Sequence, residues 1–112
     1  MAITNTTGSA TISTTEFFMM SNSTTQTPQT TACVAQPMID VSQLAAGDQY
    51  VFHFYEKVNG TQFDLCAPIT VTGAQPGPVV FPAFEVLEGW EVSGKKLAGT
   101  DRIIKWAIRK SA

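Results

Sequence analysis

Tyr50-Val51-Phe52-His53-Phe54-Tyr55-Glu56-Lys57-Val58-Asn59-Gly60-Thr61-Gln62-Phe63-Asp64-Leu65-Cys66 decides the fold class. Asn59-Gly60 separates two alternating runs. Both central residues of a type I′ turn need positive φ, which Asn and Gly tolerate. The stretch is predicted to be a β-hairpin. Phe52 and Phe54 share one face, as do Phe63, Leu65 and Ala67 on the return run; His53, Tyr55, Lys57, Gln62 and Asp64 take the outward positions.

Outward from the hairpin the same period recurs. Ala32 to Val41 places Cys33, Ala35, Ile39 and Val41 on one parity, and Pro37 within it argues for an edge strand or a bulge. Leu44 to Asp48 reads as a short helical turn ending at Gly47. On the other side, Gly73 to Pro78 is a turn cluster, and strand-like runs follow from Val79 to Leu87 and from Trp90 to Val92. Gly94-Lys95-Lys96 reads as a break and Gly99-Thr100-Asp101 as a turn. The last run, Arg102 to Arg109, puts Ile104, Trp106 and Ile108 on one face and Ile103, Lys105, Ala107 and Arg109 on the other. At the front, residues 1–9 read as a polar arm and Ala10 begins the domain, with strand candidates at Ala10–Ser13 and on into Met20. Residues 21–31 form the longest loop-like segment, whose threonines are able to add an edge strand. Seven to eight short strands with no amphipathic helix predict an all-β domain over residues 10–112. The expected architecture is an antiparallel β-sandwich, jelly-roll-like or immunoglobulin-like, or else a barrel.

Composition narrows the function classes. The chain of 112 residues is 44% hydrophobic and only 14% charged, the length of one domain with one core. Ser and Thr supply 15 of the first 31 residues, a bias toward extended chain over helix. A net charge of −2 gives no footing for general nucleic-acid binding. No apolar run approaches a membrane span, and no basic-then-apolar leader opens the sequence. Cys33 and Cys66 are accordingly expected to be reduced thiols, and to pair only if the fold brings them within disulfide geometry. Six of the seven basic residues lie between Gly89 and Lys110, and none precedes Lys57.

Chemistry-bearing groups are sparse. His53, the single histidine, sits in mid-strand between two phenylalanines, and the sequence has no HxH, HExxH or CxxC spacing, so no metal or cofactor is expected. Cys33 or Cys66 with His53 is a formal catalytic pair; an exposed histidine with two passive thiols is the expectation. Glu85, Glu88 and Glu91 surround Trp90, yet the chain is short for a glycosidase cleft, and they are read as solvated strand ends. No enzyme is expected. Trp106, alternating with two isoleucines, is predicted to be core. Trp90 stays open between core and an exposed stacking platform, and Tyr55, at an outward position, is a second candidate platform. Lys95, Lys96, Arg102, Lys105, Arg109 and Lys110 either face an acidic protein surface or protect an edge strand as a solvated basic face.

The run Gly89-Trp90, then Lys95-Lys96-Leu97-Ala98-Gly99-Thr100-Asp101-Arg102-Ile103-Ile104-Lys105-Trp106-Ala107-Ile108-Arg109, with Phe54-Tyr55-Glu56-Lys57-Val58 upstream, resembles a group of small structural proteins of tailed bacteriophages, extending over residues 10–109. The resemblance implies a virion component, associated with capsid decoration (cement) on the outside of the head and made in the host cytoplasm. It carries over no catalytic residues, and Pro37 and the cysteines are not features of the group. Its partner would be the major capsid protein, with self-association as a dimer or trimer and no role for nucleic acid or membrane. The residues expected at the protein interface are Tyr55, Lys57, Trp90, Lys95, Lys96, Arg102, Lys105 and Arg109. The rival expectations are a glycan- or receptor-binding module of a head or tail fibre, and a head–tail connector component.

Overall fold

The Asn59-Gly60 turn takes the predicted form, with φ of 50° at Asn59 and 84° at Gly60, and it pairs Val58 with Thr61. Around it the computed structural model describes residues 2–111, which contain ten strands. They are β1 (Ile3–Ile12), β2 (Phe17–Phe18), β3 (Cys33–Asp40), β4 (Gln49–Val58), β5 (Thr61–Asp64), β6 (Ile69–Thr72), β7 (Val79–Val80), β8 (Phe84–Val86), β9 (Trp90–Ala98) and β10 (Arg102–Ser111). The described residues form no helix, and so none long and apolar enough to cross a membrane.

Two antiparallel sheets pack face to face. Sheet A runs β1–β10–β3, with β7 and β8 both on the far side of β3; sheet B runs β2–β9–β4, with β5 and β6 both on the far side of β4. Each sheet thus has four lanes, the fourth split into two short strands. Ten segments in eight lanes replace the seven to eight strands read from sequence. The pairs β1 with β10, β2 with β9, β3 with β8 and β7, and β4 with β6 and β5 match the first half of the chain to the second half in reverse order. Such a chain is one long antiparallel ribbon. Winding it brings β10 against β3 and β9 against β4, which is jelly-roll topology. The immunoglobulin-like and barrel alternatives end on this strand order.

The core follows from the alternation. Ile104, Trp106 and Ile108 of β10, Ala35 and Ile39 of β3, Tyr50, Phe52 and Phe54 of β4, and Trp90 and Val92 of β9 are all buried between the sheets. Phe54 sits at the centre of an aromatic group, edge-on to Phe81, Phe84 and Trp90 with centroids 5.8–6.2 Å apart; each such pair adds about 0.5–1.5 kcal/mol beyond its buried area. Gly8 lies opposite Trp106, and a Cβ there would come 2.6 Å from Trp106 Cζ2, so the indole occupies the space a side chain on β1 would need.

Several expectations are corrected. Residues 3–9, read as an arm, belong to β1, which pairs with β10 along its whole length; Met1 lies outside the described residues. A Thr-rich segment with few apolar groups becomes a strand because β10 supplies its hydrogen-bond partners. Pro37 is in an interior lane, not at an edge. It has no N–H to give, and its carbonyl accepts the Phe81 N–H at 3.1 Å where the β7/β8 lane is interrupted, so the missing donor costs no ladder bond. Gly94-Lys95-Lys96 is not a break, because β9 runs through it; a Cβ at Gly94 would stand 2.9 Å from the Phe52 ring. Leu44 to Asp48 forms turns rather than a helix. Phe63 does share the inward parity, but it pairs with Glu56 near the hairpin tip, beyond the core, and is 54% exposed.

Polar groups lock one end of the sandwich. Buried Asp48 accepts N–H bonds from Ala45 and Thr100, each at 2.9 Å, and from Arg102 Nε at 2.8 Å. These donors, the backbone ones first, hold its carboxyl down at about 2. The Tyr50 hydroxyl is wedged between β1 and β10: it accepts the Arg102 N–H at 2.8 Å and lies 2.9 Å from the Thr100 carbonyl and 3.1 Å from that of Ile12.

Candidate functional site

The outer faces of the two sheets differ. On sheet A the outward residues form cross-strand rows: Thr11–Ile103; Ser9–Lys105–Asp40; Thr7–Ala107–Met38–Val80; Asn5–Arg109–Gln36; and Ile3–Ser111–Val34–Glu85. An apolar row is therefore flanked by rows that carry Lys105 and Arg109. No segment covers this face among the described residues, and Ile3, Val34, Val80 and Ile103 are exposed. A depression of about 260 Å³ lies on it, lined by Met38, Asp40, Pro78, Lys105, Ala107 and Arg109 among others. Asp40 accepts the Ser42 N–H at 2.9 Å, and that bond, with Lys105 contributing less, holds its carboxyl below the usual range.

On sheet B residues 13–31 pair along β9 and cover part of the outward face, around Glu91, Ser93 and Tyr55. Glu91, 0% exposed, accepts the N–H groups of Met20 at 2.8 Å and Ser21 at 3.1 Å, the Ser21 hydroxyl at 2.6 Å and its neighbour Val92 N–H at 2.9 Å. Burial pushes its carboxyl up, and the four donors pull against that shift. Glu91 is thus not the solvated strand end expected from sequence; it pins the turn at Met19–Ser21 over the sheet. Glu16 reinforces the cover by accepting the Tyr55 hydroxyl at 2.7 Å and the Ser93 hydroxyl. Burial, then Glu16, raises the Tyr55 phenol. His53 stacks on Tyr55 with centroids 4.9 Å apart, and its Nδ1 lies 2.9 Å from Asp64 Oδ1. Ser93 lies opposite His53 in register, so Asp64, His53 and Ser93 share this face. The Ser93 hydroxyl is directed to Glu16 and is buried, so the arrangement organises the cover rather than presenting a serine to His53. Alternation alone placed His53, Tyr55 and Asp64 outward. Nothing in the local pattern linked them to Glu16 or Glu91.

The structure does not gather the expected interface residues into one patch. Lys105 and Arg109 share the open face of sheet A, whereas Lys95 lies opposite Val51 on sheet B. Lys96 pairs with Asp101 at 2.5 Å and Arg102 with Asp48 at 2.8 Å. The backbone N–H of Lys57 bonds the carbonyls of Glu88 and Gly89, and its side-chain stem runs against Gly89. Trp90, left open by sequence, is core at 1% exposure, with Nε1 donating to the Thr31 carbonyl at 3.3 Å. Tyr55 is half-buried and tied to Glu16.

Cys33 and Cys66 are free thiols, both raised mainly by burial. Cys33 lines a depression of about 560 Å³ at one end of the sandwich with Val34, Glu56, Val86 and Leu87 among others. Among the described residues no group of three or more His, Cys, Asp or Glu side chains is placed to hold a metal ion. In comparisons with known proteins, the chain matches no family model, no curated protein and no solved structure.

Proposed function

We propose that this chain is a non-enzymatic assembly module, a capsid decoration or cement protein that binds the major capsid protein lattice through the outer face of sheet A. The observation that carries the reading is the composition of that face. It is uncovered, it centres on the apolar row Ala107–Met38–Val80, and it is flanked by Lys105 and Arg109. An apolar centre with charges around it suits association with an acidic protein surface: the apolar groups supply affinity and the cations orient the approach. The phage resemblance carried by the β9–β10 run supplies the virion context. Jelly rolls are used in both viral capsid and lectin domains, so the fold lends support by analogy alone. The rival glycan-binding reading loses its main stacking group, because Trp90 is buried. Physically, many copies of a modest interface between neighbouring capsomers stabilise a shell by mass action.

The test is binding of the purified protein to heads that lack it, with occupancy read by density in particle images. Wild type is expected to saturate lattice sites in many copies, and Lys105→Glu with Arg109→Glu to lose most of that occupancy. Equal occupancy of the charge-reversed protein, or binding only at a unique vertex, would overturn the reading.

A further inference from the structure

Sheet A has one long bare edge, and the direction of its free hydrogen-bonding groups follows from the register. Pro37 turns its carbonyl to Phe81 on the β7 side, so it faces away from β10. Opposed residues of an antiparallel pair face the same way, both toward or both away from each other. Ile108, opposite Pro37, therefore faces β1, where its partner is Thr6. The even residues of β1 accordingly spend their backbone groups on β10. Ile3, Asn5, Thr7, Ser9 and Thr11 aim theirs away from the sheet. The same parity continues beyond the strand, where the Ser13 carbonyl is turned from β10 and accepts the Lys96 N–H of sheet B at 2.8 Å.

The other edges are short. β2 has two residues, and β7/β8 and β5/β6 are each split lanes. Among the described residues β1 alone offers an edge of ten residues in unbroken register, with no proline, no bulge and no charged side chain. Proteins usually guard such an edge with one of those devices. The five outward-facing residues are also symmetric about Thr7. Antiparallel pairing of two copies places Thr7 opposite Thr7, Asn5 opposite Ser9 and Ile3 opposite Thr11. All five residues then meet residues whose backbone groups point back at them, and roughly ten hydrogen bonds form. The side chains that meet across the seam are uncharged, so identical edges carry no like-charge penalty.

We infer that β1 is a self-association edge: two copies of this chain join β1 to β1 about a twofold axis at Thr7, making one continuous sheet through both sandwiches. This does not depend on what the outer face of sheet A binds.

Sedimentation equilibrium of the purified protein over roughly 1–500 μM tests it. Wild type is expected to approach the mass of two chains. Thr7→Lys puts like charges face to face at the axis, and Thr7→Pro removes an N–H that points outward. Each should weaken dimerisation by roughly tenfold or more while the urea midpoint of the monomer under dilute conditions stays near wild type. Thr7→Lys changes only an exposed side chain, so it carries the test if the proline variant fails to fold. A wild type that stays monomeric throughout, or a folded Thr7→Lys protein that dimerises as strongly as wild type, would overturn the inference.

Discussion

Part of the outer face of sheet B is covered by its own chain, whereas no segment among the described residues crosses the outer face of sheet A. Both are built from alternating antiparallel strands, but the outward rows of sheet A are the more apolar. The cover itself rests on a pair of carboxylates. Glu91 of β9 gives Met20 and Ser21 a buried acceptor to fold onto, and Glu16 of the covering segment accepts the Tyr55 and Ser93 hydroxyls of the sheet, whereas Asp40 on the open face is spent on its own turn at Ser42. A face left open in this way keeps its charges and apolar groups exposed; a covered one contributes stability instead.

Removing the pin should have the largest effect. Glu91→Leu leaves the Met20 and Ser21 donors without their acceptor, at a cost of about 3 kcal/mol. The measurements are the urea midpoint and protease cleavage within residues 19–31. Unchanged stability would mean the cover does not depend on this carboxylate. Next comes the support beneath the open face. Gly8→Ala drives a methyl into the Trp106 ring and should cost about 1–3 kcal/mol, with a shift in tryptophan emission; Ser9→Ala, one residue along and exposed, is the control expected to change little.

The third effect is a slope with pH. Asp48 has a folded pKa of about 2 against 3.8 for the free group, so its contribution is present above 3.8 and is lost as pH falls through 3.8 toward 2. Glu91 works in the opposite sense: its folded pKa is raised above 4.5, so its titration favours the fold at low pH and that gain is lost as pH rises through the folded value. Melting temperatures from pH 2 to 5 should therefore fall less steeply in Asp48→Asn than in wild type. An identical acid limb would show that other carboxylates control it. The smallest effect is expected from Lys105→Glu with Arg109→Glu, whose exposed sites should change stability by about 0.5 kcal/mol or less. Calorimetry of this variant separates a docking defect from a folding defect.

Alternation made much of the fold legible in advance. The hairpin at Asn59-Gly60, the inward set Ile104, Trp106 and Ile108, and the sandwich class all follow from period-two burial and from the φ that a tight turn demands. Other features were illegible because their causes are far away in the chain. β1 is a strand because β10, about a hundred residues later, is its partner. Trp90 is buried because it points between the sheets onto Phe54, and Glu91 because Met20-Ser21 come to lie against it.

The candidate site divides in the same way. Lys105 and Arg109 point outward from a strand whose other face is core, because successive side chains must alternate, and that much is written in the local pattern. Which cations remain available was settled by folding. Lys96 and Arg102 are tied to Asp101 and Asp48, and Lys95 lies on the opposite sheet. Folding also decided that the free edge is β1. The physical reason is that alternation is a property of the backbone, fixed within a few residues, whereas cover, pairing and edge position depend on contacts closed by winding the ribbon.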